Sequence, residues 1–104
     1  MKNLDRFSYI ALFDAYKALL TEKQQQILTL YYFNDFGLTE IGENLGVSRQ
    51  AVLDAIKKAE AVLVESEKSL KLVEKSKKVN VLLDSIKTSD QKSKDAISEI
   101  KDLI

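Results

Sequence analysis

The stretch LTEIGENLGVSRQAVLDAIK, residues 38–57, decides the fold of this chain. Apolar residues recur at helical spacing on either side of Gly46, a residue type that adopts the left-handed backbone of a tight turn without a steric penalty. Ser48 stands where a hydroxyl caps the first turn of a following helix. The pattern therefore predicts a helix-turn-helix over residues 38–58.

Two sets of side chains in this stretch have opposite predicted roles. The core between the two helices is predicted to consist of Ile41, Leu45, Val47 and Val52. Gly42 has no side chain, so the second helix can approach the first closely. The outward face of the second helix carries Ser48, Arg49, Gln50, Leu53, Asp54 and Lys57.

This outward face suggests a ligand, because a guanidinium fork and a side-chain amide are the groups that read guanine and adenine edges in a major groove. We take five residues as candidate nucleic-acid-binding residues: Ser48, Arg49, Gln50, Lys57 and Lys58. The alternative is that Arg49 and Gln50 are ordinary solvated residues of a first helical turn.

The charge balance limits this function. The chain has 16 basic and 16 acidic side chains, and the charges within residues 38–58 also cancel. Duplex binders commonly neutralise about six to ten phosphates, whereas this face offers about three or four contacts. We expect weak binding to DNA or RNA.

Absent residue types exclude several classes of protein. Without cysteine or histidine the chain cannot form a disulfide framework, a zinc-thiolate site or a Ser-His-Asp triad. Paired carboxylates such as Glu65 and Glu67 have no partner that would make them catalytic. We expect no enzymatic activity, cofactor or metal. Because no apolar run of about 18 residues and no signal-peptide segment is present, we also expect a cytoplasmic protein without membrane insertion.

The rest of the chain predicts an all-α protein. Residues 1–63 read as a four-helix module that contains the helix-turn-helix, and residues 64–104 as an amphipathic helical extension into which the fourth helix continues. The first helix is expected over about residues 4–20, with an apolar face that includes Phe7. Thr21 and Gln24 have the spacing of a capping box at the start of the second helix. The apolar stripe of that helix is predicted to hold Ile27, Leu30 and Tyr31.

The extension raises the question of self-association. A heptad-like seam is formed by Val52, Ile56, Ala59, Leu63, Leu70 and Val73, and the module can cover only its first half. We expect a homodimer to cover the remainder. A fold-back of the last helix, which carries Ile97, Ile100 and Ile104, is the alternative, with residues 88–90 as a polar hinge.

Two further segments have a functional and a structural interpretation. Tyr31 and Tyr32 could stack on nucleobases, although their apolar neighbours favour a place in the core. The run SEKSLKLVEKSKK, residues 66–78, has five lysines that could contact RNA phosphates. It is more typical of a solvated helix face with ion pairs at i,i+4, such as Glu74 with Lys78.

Several motifs together resemble the YlxM family of small bacterial proteins. They are LTEKQ at 20–24, LYY at 30–32, LTEI at 38–41, VSRQAV at 47–52, Asp54, and IK at 56–57. The family looks like the fourth region of sigma factors and is typically encoded beside genes of the signal recognition particle. This chain departs from the family pattern at Gln25, Gly37, Leu53 and Ala55, which removes polar and stacking groups from the presumed binding face.

The resemblance implies a regulatory or accessory protein of the signal recognition particle pathway. The partners that follow are DNA or signal recognition particle RNA, together with protein components of that particle. A different class of function is a protein-interaction adaptor that docks on a targeting GTPase without binding nucleic acid.

Overall fold

The computed structural model describes residues 4–87 and 89–104. Met1, Lys2 and Asn3 at the amino end, and Thr88 of the predicted hinge, lie outside the described residues. The elements are α1 Arg6–Tyr16, α2 Glu22–Tyr32, α3 Leu38–Leu45, α4 Arg49–Leu70, α5 Leu72–Asp84 and α6 Gln91–Leu103, with a 3₁₀ turn Lys17–Leu19 after α1. Within the described ranges no strand occurs. The predicted all-α fold is therefore confirmed.

The chain divides into two compact units, residues 1–70 and residues 71–104. In the first unit α4 is the central element, because α1, α2 and α3 each pack against it. The buried residues of α4 recur at the predicted spacing of four, three and four: Val52, Ile56, Ala59 and Leu63. These four residues thus form the one stripe of α4 that packs into the core.

The start of α2 follows the predicted capping box. The Thr21 hydroxyl accepts a hydrogen bond from the Gln24 backbone N–H at 3.1 Å, and the Gln24 side chain accepts from the Thr21 N–H at 3.0 Å. Two backbone donors that the helix itself cannot satisfy therefore find partners, which fixes the first residue of α2.

The predicted apolar faces of the first two helices are partly wrong. Phe7 is 84% exposed, because it lies on the side of α1 opposite the buried Leu12, Phe13 and Tyr16. In α2 the buried residues are Ile27, Leu28 and Tyr32, whereas Leu30 and Tyr31 are half-buried. The short apolar runs in these helices fit more than one phase, and packing against α4 selects one of them.

The predicted seam does not continue along one helix. Lys71 has a left-handed backbone with φ of 54°, which ends α4 at Leu70 and separates it from α5. A non-glycine residue seldom adopts this conformation, so the residue type gives no warning of the break. Leu70 is accordingly 47% exposed.

The second unit consists of α5 and α6, and neither helix contains a buried residue. Asp90 caps α6, since its carboxylate accepts from the Ser93 N–H at 3.3 Å. Lys101 of α6 pairs with Asp84 at the end of α5. The exposed large apolar side chains of this unit are Leu72, Val81, Leu82, Ile86, Ile100, Leu103 and Ile104.

The two faces of α4 should respond differently to truncation. Ile56 is 4% exposed, and Ile56→Ala is expected to lower the free energy of unfolding by roughly 2–4 kcal/mol. Gln50 is exposed, and Gln50→Ala should lower it by less than about 1 kcal/mol. Urea denaturation of both variants measures these changes, and equal midpoints would show that the inward and outward faces are misassigned.

Candidate nucleic-acid interface

The turn between α3 and α4 has the geometry that the sequence predicts. Gly46 ends α3 with φ of 73°, the left-handed conformation that favours glycine. The Val47 N–H then donates to the Gly42 carbonyl at 2.9 Å. The Ser48 hydroxyl accepts from the Ala51 N–H at 3.0 Å, which confirms Ser48 as the cap of α4.

Gly42 lies at the closest approach between α3 and the turn. A Cβ atom added there would be 2.6 Å from the Val47 carbonyl oxygen, a distance that real Cβ contacts do not reach. Ile41 and Val52 beside this contact are fully buried, whereas Leu45 and Val47 are half-buried. Because residue 42 has no side chain, the turn that leads into α4 can lie close to α3.

The start of α3 is capped on one side only. The Glu40 carboxylate accepts from the Gly37 backbone N–H at 3.1 Å. Gly37 has no hydroxyl to return a hydrogen bond, so the box is half complete. Its φ of −76° is one that a serine adopts without strain.

All five candidate nucleic-acid-binding residues are exposed on α4 or its cap: Ser48, Arg49, Gln50, Lys57 and Lys58. Residues three and four positions apart lie on the same helix face, so Gln50, Asp54 and Lys57 are neighbours there. Leu53, which the sequence places on the outward face, is half-buried. The structure thus presents one guanidinium, one amide and two ammonium groups along the outer side of α4.

Asp54 lies on the same face, and its negative charge repels a phosphate. The Gln50 amide nitrogen donates to the Asp54 carboxylate at 3.0 Å. This bond uses one of the two amide hydrogens and leaves the other hydrogen and the carbonyl oxygen of Gln50 available. It also holds the amide in one orientation, which shortens its reach towards a base edge.

The lysine-rich run does not form one continuous face. It is divided by the break at Lys71, and Lys78 pairs with Glu74 at 3.4 Å, as the i,i+4 spacing predicts. Glu67 accepts a hydrogen bond from the Tyr16 hydroxyl at 2.6 Å, which ties α1 to the far part of α4. The Glu74–Lys78 pair fits the solvated-face interpretation of the run, whereas Glu67 takes part in the packing of α1 against α4.

The sequence does not predict a second group of polar side chains near α2. The Tyr32 hydroxyl donates to the Glu60 carboxylate across 28 positions of sequence, and the Arg6 guanidinium donates to the Tyr32 carbonyl at 2.6 Å. The only sequence signal was the adjacent pair Tyr31 and Tyr32. Nothing in the pattern of α4 marks Glu60 as their partner.

The fold and the turn geometry define a helix-turn-helix protein. Residues 4–103 match the UPF0122 family, described as "Putative helix-turn-helix protein, YlxM / p13 like". The chain belongs to this family, as its motifs suggest. The family description names a helix-turn-helix protein rather than an enzyme. No helix in the described part of the chain is long and apolar enough to cross a membrane.

Relatives in three bacteria cover most of the chain. A UPF0122 protein of Halalkalibacterium halodurans is 49% identical over 81 residues, or 78% of this chain and 74% of that protein. One of Geobacillus sp. (strain WCH70) is 42% identical over 99 residues, covering 88% and 90%. One of Bacillus cereus (strain AH187) is 38% identical over 104 residues, covering 100% and 93%.

Two glycine substitutions should have different effects on the stability of the helix-turn-helix. Gly42→Ala should lower the free energy of unfolding by about 1–3 kcal/mol, because the new methyl group meets the Val47 carbonyl. Gly37→Ser should leave the free energy of unfolding unchanged or raise it by only a few tenths of a kcal/mol, since the hydroxyl completes the capping box. Urea denaturation compares the two, and a neutral Gly42→Ala would contradict the close approach.

Proposed function

We propose that this protein binds nucleic acid weakly through the exposed side of its helix-turn-helix and acts as a regulatory or accessory factor of the signal recognition particle pathway. The observation that carries the binding part is the exposed cluster around the start of α4, on a turn of helix-turn-helix geometry. The pathway rests on the likeness to YlxM proteins alone. A cytoplasmic location belongs to the same proposal.

Each side chain has a distinct part in the proposed contact. Arg49 offers a planar fork that fits a guanine edge or a phosphate, and Gln50 offers its carbonyl and remaining N–H to an adenine edge. The Ser48 oxygen is already occupied by capping, which leaves its hydroxyl hydrogen to donate to a phosphate. Lys57 and Lys58 supply charge to the backbone of the nucleic acid.

Electrostatics sets the strength of this binding. The face has the three cationic side chains Arg49, Lys57 and Lys58, with Asp54 among them. About three neutralised phosphates give a modest counterion-release contribution, so affinity at physiological salt is micromolar or weaker. The ligand is DNA or the RNA of the signal recognition particle, and the neutral chain has no long-range preference for either.

A protein-interaction adaptor is the second candidate. Its support is the zero net charge of the chain together with the exposed apolar side chains of residues 71–104. In this function the helices dock on a targeting GTPase or another component of the particle, and nucleic acid does not bind directly.

Salt dependence separates the two candidates. For labelled duplex DNA and structured RNA, log K should fall against log salt with a slope of roughly −3. Arg49→Ala should weaken the binding further, and Asp54→Asn should strengthen it because a repelling charge is removed. Titrations at two or more salt concentrations measure the slope. Binding that is absent at low salt, or that is insensitive to salt, leaves the adaptor as the surviving function.

We further propose that a second copy of the chain covers the apolar side chains of residues 71–104. Val81 and Leu82 are 68% and 66% exposed, which is unusual for adjacent large apolar residues on one helix. The wild-type protein should therefore show a concentration-dependent mass in light scattering over a hundredfold range. Val81→Asp combined with Leu82→Asp should give a monomer throughout. A wild-type protein that is monomeric at every concentration contradicts the dimer and favours the fold-back.

A further inference from the structure

A pocket of about 410 Å³ opens on the amino-terminal unit, between the beginning of α1, the end of α2 and the middle of α4. Its lining residues are Leu4, Arg6, Tyr9, Tyr31, Tyr32 and Glu60. The five candidate nucleic-acid-binding residues are not among them. The pocket is thus separate from the helix-turn-helix face.

Three of its six lining residues are tyrosines. The rings of Tyr9 and Tyr32 lie nearly parallel with centroids 6.4 Å apart, and the ring of Tyr31 is tilted by 51° against Tyr32 at 5.6 Å. The faces of such rings carry partial negative charge and attract cations. Tyr9 and Tyr31 are half-buried, so parts of both side chains remain open to solvent.

Glu60 adds a full negative charge whose acceptor capacity is largely unused. One carboxylate oxygen accepts from the Tyr32 hydroxyl. Among residues 4–87 and 89–104, no Lys or Arg side chain forms an ion pair with Glu60. Burial raises the pKa of the Glu60 carboxyl above its ordinary value, and the Tyr32 hydrogen bond lowers it in part. A half-buried carboxylate that accepts only one hydrogen bond is stabilised by a cation, because the cation replaces the water lost on burial.

Arg6 does not supply that cation. Its guanidinium donates to the carbonyl oxygens of Tyr31 at 3.1 Å and Tyr32 at 2.6 Å, at the negative end of α2. Asp35 lies 3.5 Å from the same guanidinium nitrogen. The charge of Arg6 is therefore balanced at the helix end, and the charge of Glu60 remains uncompensated.

We propose that this pocket binds an organic ammonium group, held by the aromatic rings of Tyr9 and Tyr31 and by the carboxylate of Glu60. The combination of aromatic walls with one carboxylate is the arrangement that recognises alkylammonium ions. The group comes from a small free amine or from a lysine side chain, since both present the same chemistry. An open pocket on the surface implies an affinity on the order of millimolar.

The tyrosines provide a direct readout. The chain has four tyrosines and no tryptophan, and three of the tyrosines line the pocket. Tetramethylammonium chloride, titrated at constant ionic strength against sodium chloride, should change tyrosine fluorescence saturably. tert-Butyl alcohol has a similar shape without the charge and should give no saturable change. Equal responses to the two probes would overturn the proposal.

Two variants on one helix locate the charge. Glu60→Gln keeps the size of the side chain and a hydrogen-bond acceptor for Tyr32, and it should weaken tetramethylammonium binding at least about fivefold. Glu65→Gln is the matched control, because Glu65 is exposed on α4 and does not line the pocket. It should leave the affinity unchanged. Equal affinities of the two variants contradict the proposal.

A ring variant keeps the test valid if Glu60→Gln fails to fold, which thermal denaturation shows. Tyr31→Leu preserves apolar volume without the aromatic face, and a loss of affinity of several-fold is expected. Parallel titrations with 1,4-diaminobutane and with Nα-acetyl-lysine amide distinguish the source of the ammonium group. If one of these two compounds binds more tightly, it identifies the source of the ammonium group. Equal affinities support recognition of the ammonium group alone. If no probe gives a saturable response, the proposed site is overturned.

Discussion

The close approach of Gly42 to the Val47 carbonyl is the contact on which the helix-turn-helix depends. It brings the end of α3 against the turn without a side chain between them. Gly46 then ends α3 in a left-handed conformation, and Ser48 caps the next helix. Because α4 is also the helix against which α1 and α2 pack, the position of its first turn determines the arrangement of the whole amino-terminal unit.

Helix α4 combines two requirements along one length of chain. Its inward stripe contains the four buried residues of the helix, Val52, Ile56, Ala59 and Leu63. Its outward side near the turn carries the polar groups proposed to contact nucleic acid, and its side towards α2 carries Glu60 in the tyrosine-lined pocket. One helix therefore positions two proposed ligand sites on different parts of the surface.

The sequence predicts those features that depend on local chemistry. Caps at Thr21 and Ser48, the turn at Gly46 and the buried stripe of α4 follow from residue types at fixed spacing. The exposure of Phe7 does not, since packing against α4 selects the phase of α1. The break at Lys71 does not either, since the residue type gives no sign of a left-handed backbone. The five proposed contact residues can be placed on an exposed helix from sequence alone. Glu60 cannot, because its link to Tyr32 spans two helices.

The most direct test of the central claim is a map of amide chemical shifts during titration of isotope-labelled protein with a short duplex and with an RNA hairpin at low salt. If the outward face of α4 binds nucleic acid, the largest changes fall on Ser48, Arg49, Gln50, Lys57 and Lys58, with small changes at the buried Leu28 and Leu63. Changes confined to residues 71–104, or no changes at all, would contradict a nucleic-acid interface on the helix-turn-helix.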